Sequence, residues 1–168
     1  MTSPILAPDA GPLITLAYAD RLDLLLRPGW RVHIVDMVRF EVTRTQTPTS
    51  AVIAAFIDER RLPVVTTRVW QHYKQRLAKT QVDRDPPPRK TGLGELAIQE
   101  YMIRLGLEEP PLPAVFLFED HKIARGSFHL PDNVRRVSIR AFLRFVEEQG
   151  WISSAVDVGR ARCHSKWP

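Results

Sequence analysis

Five acidic residues stand where a chain can do chemistry on a charged substrate: Asp9, Glu41, Glu95, Glu119 and Asp120. Asp9 directly follows the apolar run PILAP (4–8). The Glu119–Asp120 pair directly follows AVFLF (114–118). Glu95 opens a helical pattern after TGLG, and Glu41 lies in the helical pattern that follows VHIV (32–35). If the apolar runs are strands of one parallel sheet, they end on the same edge, and several carboxylates converge there. Like charges brought together repel unless a proton or a cation offsets them. Hard divalent ions prefer oxygen donors, so Mg²⁺ or Mn²⁺ suits such a group. An ion held there activates water and stabilises charge growing on a phosphate, and two ions about 3.5–4 Å apart do both at once.

Each acid also has an ordinary role open to it. Asp9 and Asp120 suit helix caps. Glu95 near a helix start favours the macrodipole. Glu41 and Glu119 suit solvated surface positions. Only their joint placement points to a metal.

The elements that must position these acids alternate between strands and helices. Strands are expected at 4–8, 32–35, 62–66, 114–118 and 134–137. Helices are expected at 13–18 and 21–26, after Asp36, after an N-cap at Ser50, at 69–77, 93–105 and 121–127, and at 139–149 behind Ser138. AVFLF, apolar throughout, suits a strand buried on both faces. DRDPPPRK (83–90) cannot continue a helix and reads as an exposed loop, with no role assigned to it. This order predicts an α/β fold with a central, mostly parallel sheet of four or five strands. Ligands of such sheets bind at the carboxyl ends of the strands, near the point where strand order reverses.

With 168 residues, of which 44% are hydrophobic, the chain can bury a full core. A single domain is expected over 1–152, with 153–168 as a C-terminal tail. The single cysteine, Cys163, excludes an internal disulfide and a zinc cluster built on thiols. The first residues lack the basic and apolar pattern of a secretory signal, and no stretch approaches the roughly 20 apolar residues of a membrane span. A cytoplasmic protein without a membrane partner is expected. No Gly-Lys-Ser/Thr phosphate loop is present, which excludes a P-loop ATPase. The net charge of +5 favours polyanions, nucleic acid above all.

Four blocks, in order, resemble the PIN-domain family: PDAGPLITLAYADRLDLL, VDMVRFEV, TGLGELAIQEYM and AVFLFEDHKIAR, with VSIRAFLRFVEEQGWI similar to the closing helix. The likeness covers residues 4 to 152. It implies a three-layer α/β/α sandwich and Mg²⁺- or Mn²⁺-dependent endoribonuclease activity. It also implies the toxin role in a bacterial toxin–antitoxin pair, with a cognate antitoxin and a homodimer as partners. Asp9, Glu41, Glu95 and Asp120 match the family's catalytic acids. Asp9, Glu95 and Asp120 become the metal ligands, with Glu119 accessory to them. Two positions depart from the pattern. Ala10 stands where a hydroxyl residue is common, and Glu119 where an Asp is common. These departures favour the alternative of an inactive module that binds RNA or protein on the same fold. A phosphorylated receiver-like domain fits less well, because Asp9 stands alone and no lysine follows the last strand.

Arg84, Arg89 and Lys90 flank the triproline loop just before Glu95, and Lys122 and Arg125 follow Asp120. They are expected to hold the RNA backbone beside the ions, since phosphate contacts position a strand without reading it. Solvated surface charges are the alternative for each. Trp70, Tyr73 and Trp151 can stack on bases or pack in the core.

Overall fold

Two short apolar segments set the centre of the molecule. In the computed structural model, which describes residues 2–89, 91–119 and 129–164, strand β1 (Ile5–Pro8) pairs in parallel with β5 (Ala114–Phe118). Every residue of both strands is buried. Continuous apolar runs are what a parallel sheet covered on both faces requires. β2 (Arg31–Val32) lies on the other side of β1, and β6 (Val134–Ser138) on the other side of β5. The sheet therefore runs β2-β1-β5-β6, all parallel. Helices flank it, in the three-layer α/β/α arrangement the sequence predicts.

The segment expected as one strand at 32–35 is two. Arg31–Val32 pairs with β1, whereas β3 (Ile34–Val35) pairs with β4 (Val64–Val65) in a separate two-stranded sheet. The break falls at His33, whose N–H still donates to the Leu6 carbonyl at 3.0 Å while Ile34 N–H turns to Pro63. A change of pairing partner leaves no trace in hydrophobic pattern, so sequence merges the two pieces.

Helices α1 (Ala10–Tyr18) and α2 (Asp36–Thr43) start directly after β1 and β3. A short 3-10 helix, Leu22–Leu25, stands where a second helix was expected. α3 (Pro48–Glu59) begins earlier than its expected Ser50 cap. Thr47 is the cap, and Thr47 and Ser50 bond reciprocally around Pro48. Proline at the first helical position loses no hydrogen bond, which favours that start. α4 (Arg68–Asp83) runs past the expected end at 77, and α5 (Leu93–Gly106) follows the triproline loop. α6 (Ile139–Glu148) starts at the expected Ser138 cap and buries Ile139, Phe142, Leu143 and Val146. Helix α7 (Ala155–His164) occupies most of the expected tail, with Ala155 buried and Val158 packed on the core. Its weak amphipathic pattern gave no helical signal. The expected helix at 121–127 lies outside the described residues. Among the described residues no helix is long and apolar enough to cross a membrane.

Two polar contacts hold the helices that flank the sheet edge. Asp36, buried at the end of β3, accepts from Met37 N (2.7 Å), Thr67 N (2.6 Å) and Thr67 Oγ1 (2.8 Å). It thereby ties the start of α2 to the start of α4. His33 Nδ1 lies 2.6 Å from the Tyr101 hydroxyl, tying the strand break to α5. Burial, and behind it the Arg31 guanidinium, hold the imidazole below its ordinary value of 6.5. Burial pushes the Tyr101 phenol above its own.

Replacing Asp36 with Ala leaves the Thr67 N–H and hydroxyl buried without an acceptor, and should cost about 3 kcal/mol. Urea unfolding measures it, and a loss below about 1 kcal/mol would show that the contact is dispensable. The His33 shift fixes a second outcome. The unfolded chain takes up this proton more readily than the folded one. Stability therefore falls as pH drops through the ordinary histidine value, until the folded-state value is reached. The melting temperature should drop from about pH 7.5 to about pH 5.5, and drop less in His33→Gln. Equal drops in both proteins would remove His33 from the account.

Candidate metal centre

The carboxylates fall in two places, and in each place one of them, Glu119 or Glu41, is seated on a glycine in the first turn of a helix. The first pair lies at the sheet's centre. Asp9 follows β1, is 1% exposed, and caps α1, its Oδ1 accepting from Ala10 N at 2.8 Å. Its own N–H donates to the Leu117 carbonyl of β5 at 2.9 Å. Pro8 is level with Leu117 in the parallel register, so Asp9 and Glu119 leave adjacent strands almost together. Glu119 then folds over the first turn of α1. A Cβ on Gly11 would collide with Glu119 Cγ and stand 3.0 Å from its Cδ. The absence of that carbon is what admits the side chain. Thr15 Oγ1, buried one turn further on, donates to Glu119 Oε1 at 2.8 Å.

This is also where strand order reverses. β1 has β2 on one side and β5 on the other, so the crevice between β1 and β5 is the switch point of the sheet. Asp9 and Glu119 sit at its two lips.

The second pair lies at the start of α5. Glu41 projects from α2, and its Oε1 accepts from Gly94 N at 3.1 Å. A Cβ on Gly94 would stand 2.7 Å from Glu41 Oε2 and 3.0 Å from its Cδ. Glu95 is the next residue, in the first turn of α5. Free N–H groups and the positive end of the helix dipole make this a favourable place for carboxylate charge. α5 leads back into β5 and so begins at the sheet edge where β5 ends.

Carboxylate oxygens are the donors that Mg²⁺ and Mn²⁺ select, and glycines supply the room these side chains occupy, so the donor chemistry fits such an ion. Among the described residues no group of three or more His, Cys, Asp or Glu side chains is placed to hold one. Asp120, the remaining expected ligand, lies outside the described residues, as do Lys90, Lys122 and Arg125.

Of the expected RNA contacts within them, Arg84 and Arg89 are exposed. Arg84 caps the end of α4 in a left-handed conformation (φ 56°). The aromatic candidates pack instead of projecting. Trp70 and Tyr73 close on Phe40 at centroid distances of 4.7 and 5.6 Å, and Trp151 meets Phe145 edge-on at 5.8 Å.

Three contributors were not legible as site residues: Thr15, Gly11 and Gly94. Thr15 bears on the two positions, Ala10 and Glu119, that depart from the resembled pattern. A hydroxyl is missing at Ala10, but Thr15 brings one from the next turn, and the longer Glu119 reaches it. The signal for Gly11 and Gly94 is a glycine beside an acid at a helix start, in DAGP and GLGE. Nothing in a single sequence names the distant carboxylate that fills each space. No protein-family model matches this chain, and no match is found among the curated proteins or among the solved structures.

Proposed function

We propose that this protein is a metal-dependent endoribonuclease that hydrolyses RNA phosphodiester bonds. One observation carries the reading. The inner strands β1 and β5 end side by side at the switch point, and each delivers a carboxylate there, Asp9 and Glu119. Glu41 reaches the Gly94 N–H at the start of the helix that leads into β5, and Glu95 is the next residue of that turn. In this proposal Asp9, Glu95 and Asp120 hold Mg²⁺ or Mn²⁺, with Glu119 beside them. The ion would supply an activated water and offset charge on the phosphate. Glu41 keeps the start of α5 in place and orients the acid next to it. Thr15 holds the Glu119 carboxylate through its hydroxyl. The four PIN-like blocks support the same activity. They extend the proposal to a cytoplasmic toxin with a cognate antitoxin, acting as a homodimer.

The direct test is cleavage of a labelled single-stranded RNA by the purified full chain in Mn²⁺ or Mg²⁺. Cleavage should need the ion and fall about 100-fold or more in Asp9→Asn. Equal cleavage by wild type and variant would mean a contaminating nuclease and end the proposal. Retention of RNA by a wild-type protein that never cuts would leave the inactive binding module as the better reading.

Gly94→Ala gives an independent check. The added carbon must push the Glu41 carboxylate off Gly94 N. Alanine is favoured over glycine in a helix by up to about 1 kcal/mol, so the melting temperature should hold or rise. Cleavage should nevertheless fall at least about tenfold. Full activity in Gly94→Ala would remove the Glu41–Gly94 contact from the site.

A further inference from the structure

Helix α4 carries Arg68, Lys74, Arg76 and Lys79 against a single acid, Asp83. Its apolar side chains Val69, Trp70, Tyr73 and Leu77 face the protein. Arg68, His72, Arg76 and Lys79 recur every three or four residues on the opposite, exposed face. Lys74 lies off that stripe, its Nζ 5.6 Å over the Trp70 ring. Among the described residues, none of Arg68, Arg76, Lys79 and Arg84 takes part in a salt bridge. Asp83 stands four residues after Lys79 without pairing to it. Cations spaced a turn apart repel one another, and Asp83 is the one acid on the helix to offset them.

The hydrogen bonds fix where this stripe leads. Arg104 of α5 donates to the Thr66 carbonyl at 3.2 Å, and Glu100 accepts from Arg68 N and Val69 N at 2.9 and 3.2 Å. Position 66 lies against 104, and 68–69 against 100, so α4 and α5 run antiparallel. From Glu100 to the start of α5 at Leu93 is about 10 Å at the helical rise. The same length carries α4 from Arg68 to about residue 75. The rest of α4 stands past the first turn of α5, where Glu41 and Glu95 lie. Exposure agrees with this. Leu77 is the last apolar residue of α4 packed on the core, and Val82 is 82% exposed.

We infer that the outward face of α4, through Arg76 and Lys79 with Arg84 at its end, is a phosphate-binding ridge that guides single-stranded RNA onto the carboxylate edge. The identity of the polyanion rests on the nuclease reading above; the ridge itself rests on charge and geometry. RNA is favoured over an acidic protein because the ridge ends beside a carboxylate site suited to a metal and a phosphate. The ridge residues are positioning residues and take no part in bond breaking.

The test uses the full-length protein, a fluorescein-labelled mixed-sequence RNA of about 20 nucleotides, and EDTA to prevent cleavage. In Arg76→Gln/Lys79→Gln, binding should weaken about tenfold, and the slope of log affinity against log salt should shrink by about 1.4. Arg144→Gln on α6 removes an exposed cation elsewhere and should keep wild-type binding. Both positions in the double variant are exposed, and an unchanged thermal melt confirms the fold. With Mn²⁺ added, the double variant should show a raised KM and an unchanged kcat. Unchanged affinity and slope would overturn the ridge. So would a wild-type protein that ignores RNA but binds polyglutamate, which would point to an acidic protein partner. A wild type that binds RNA through the ridge yet never cuts it would sink the nuclease reading and leave the ridge standing.

Discussion

The parallel pairing of β1 with β5 is the constraint from which the rest follows. These two segments lie more than a hundred residues apart in the chain, and both are buried on both faces. Parallel pairing makes them end on the same side, and a right-handed crossover must return the chain each time. The Asp9 N–H to Leu117 carbonyl bond extends the ladder one residue past the strand, into the residue that carries the carboxylate. Asp9 is therefore held by the sheet through its backbone and by α1 through its side chain. An acid so placed has little freedom, which is what a preorganised site needs.

Around that pairing, each remaining carboxylate is located by a helix start. Glycine is used for space here, not for backbone freedom. Gly11 lets Glu119 lie across α1, and Gly94 lets Glu41 reach the backbone of α5. In both cases the acid from one element rests on the first turn of another, where unsatisfied N–H groups favour negative charge. Helix starts and strand ends share this edge, and Asp9, though almost fully buried, has the Ala10 N–H to meet its charge.

The helical layer on the acidic side is braced by polar contacts between elements distant in sequence. Asp36 joins α2 to α4, Glu100 caps α4 from α5, and His33 meets Tyr101. Among the described residues no buried side-chain nitrogen or oxygen lacks a partner. This bracing keeps α4 antiparallel to α5 and lets its cationic half stand beyond the fold. The same helix thus has a packed aromatic half, built on Phe40, Trp70 and Tyr73, and a projecting polar half.

Much of this was legible in the residues themselves. PILAP and AVFLF read as strands, and AVFLF as a buried one, because no polar residue interrupts them. Ser138 read as a cap because a hydroxyl precedes an amphipathic run. Asp9 and Glu119 read as edge acids because each directly follows a strand. Those features are local, and local physics sets them: periodicity, caps, and the refusal of proline to continue a helix. Tertiary structure alone decided the rest. It split the second strand at His33, since pairing partners are chosen across space. It revealed α7, whose stability comes from packing and not from its own pattern. It made Thr15 the hydroxyl that reaches Glu119, and filled the gaps at Gly11 and Gly94 with Glu119 and Glu41. A residue's type sets which contacts it is able to make, but which distant side chain arrives to make them depends on how the sheet closes.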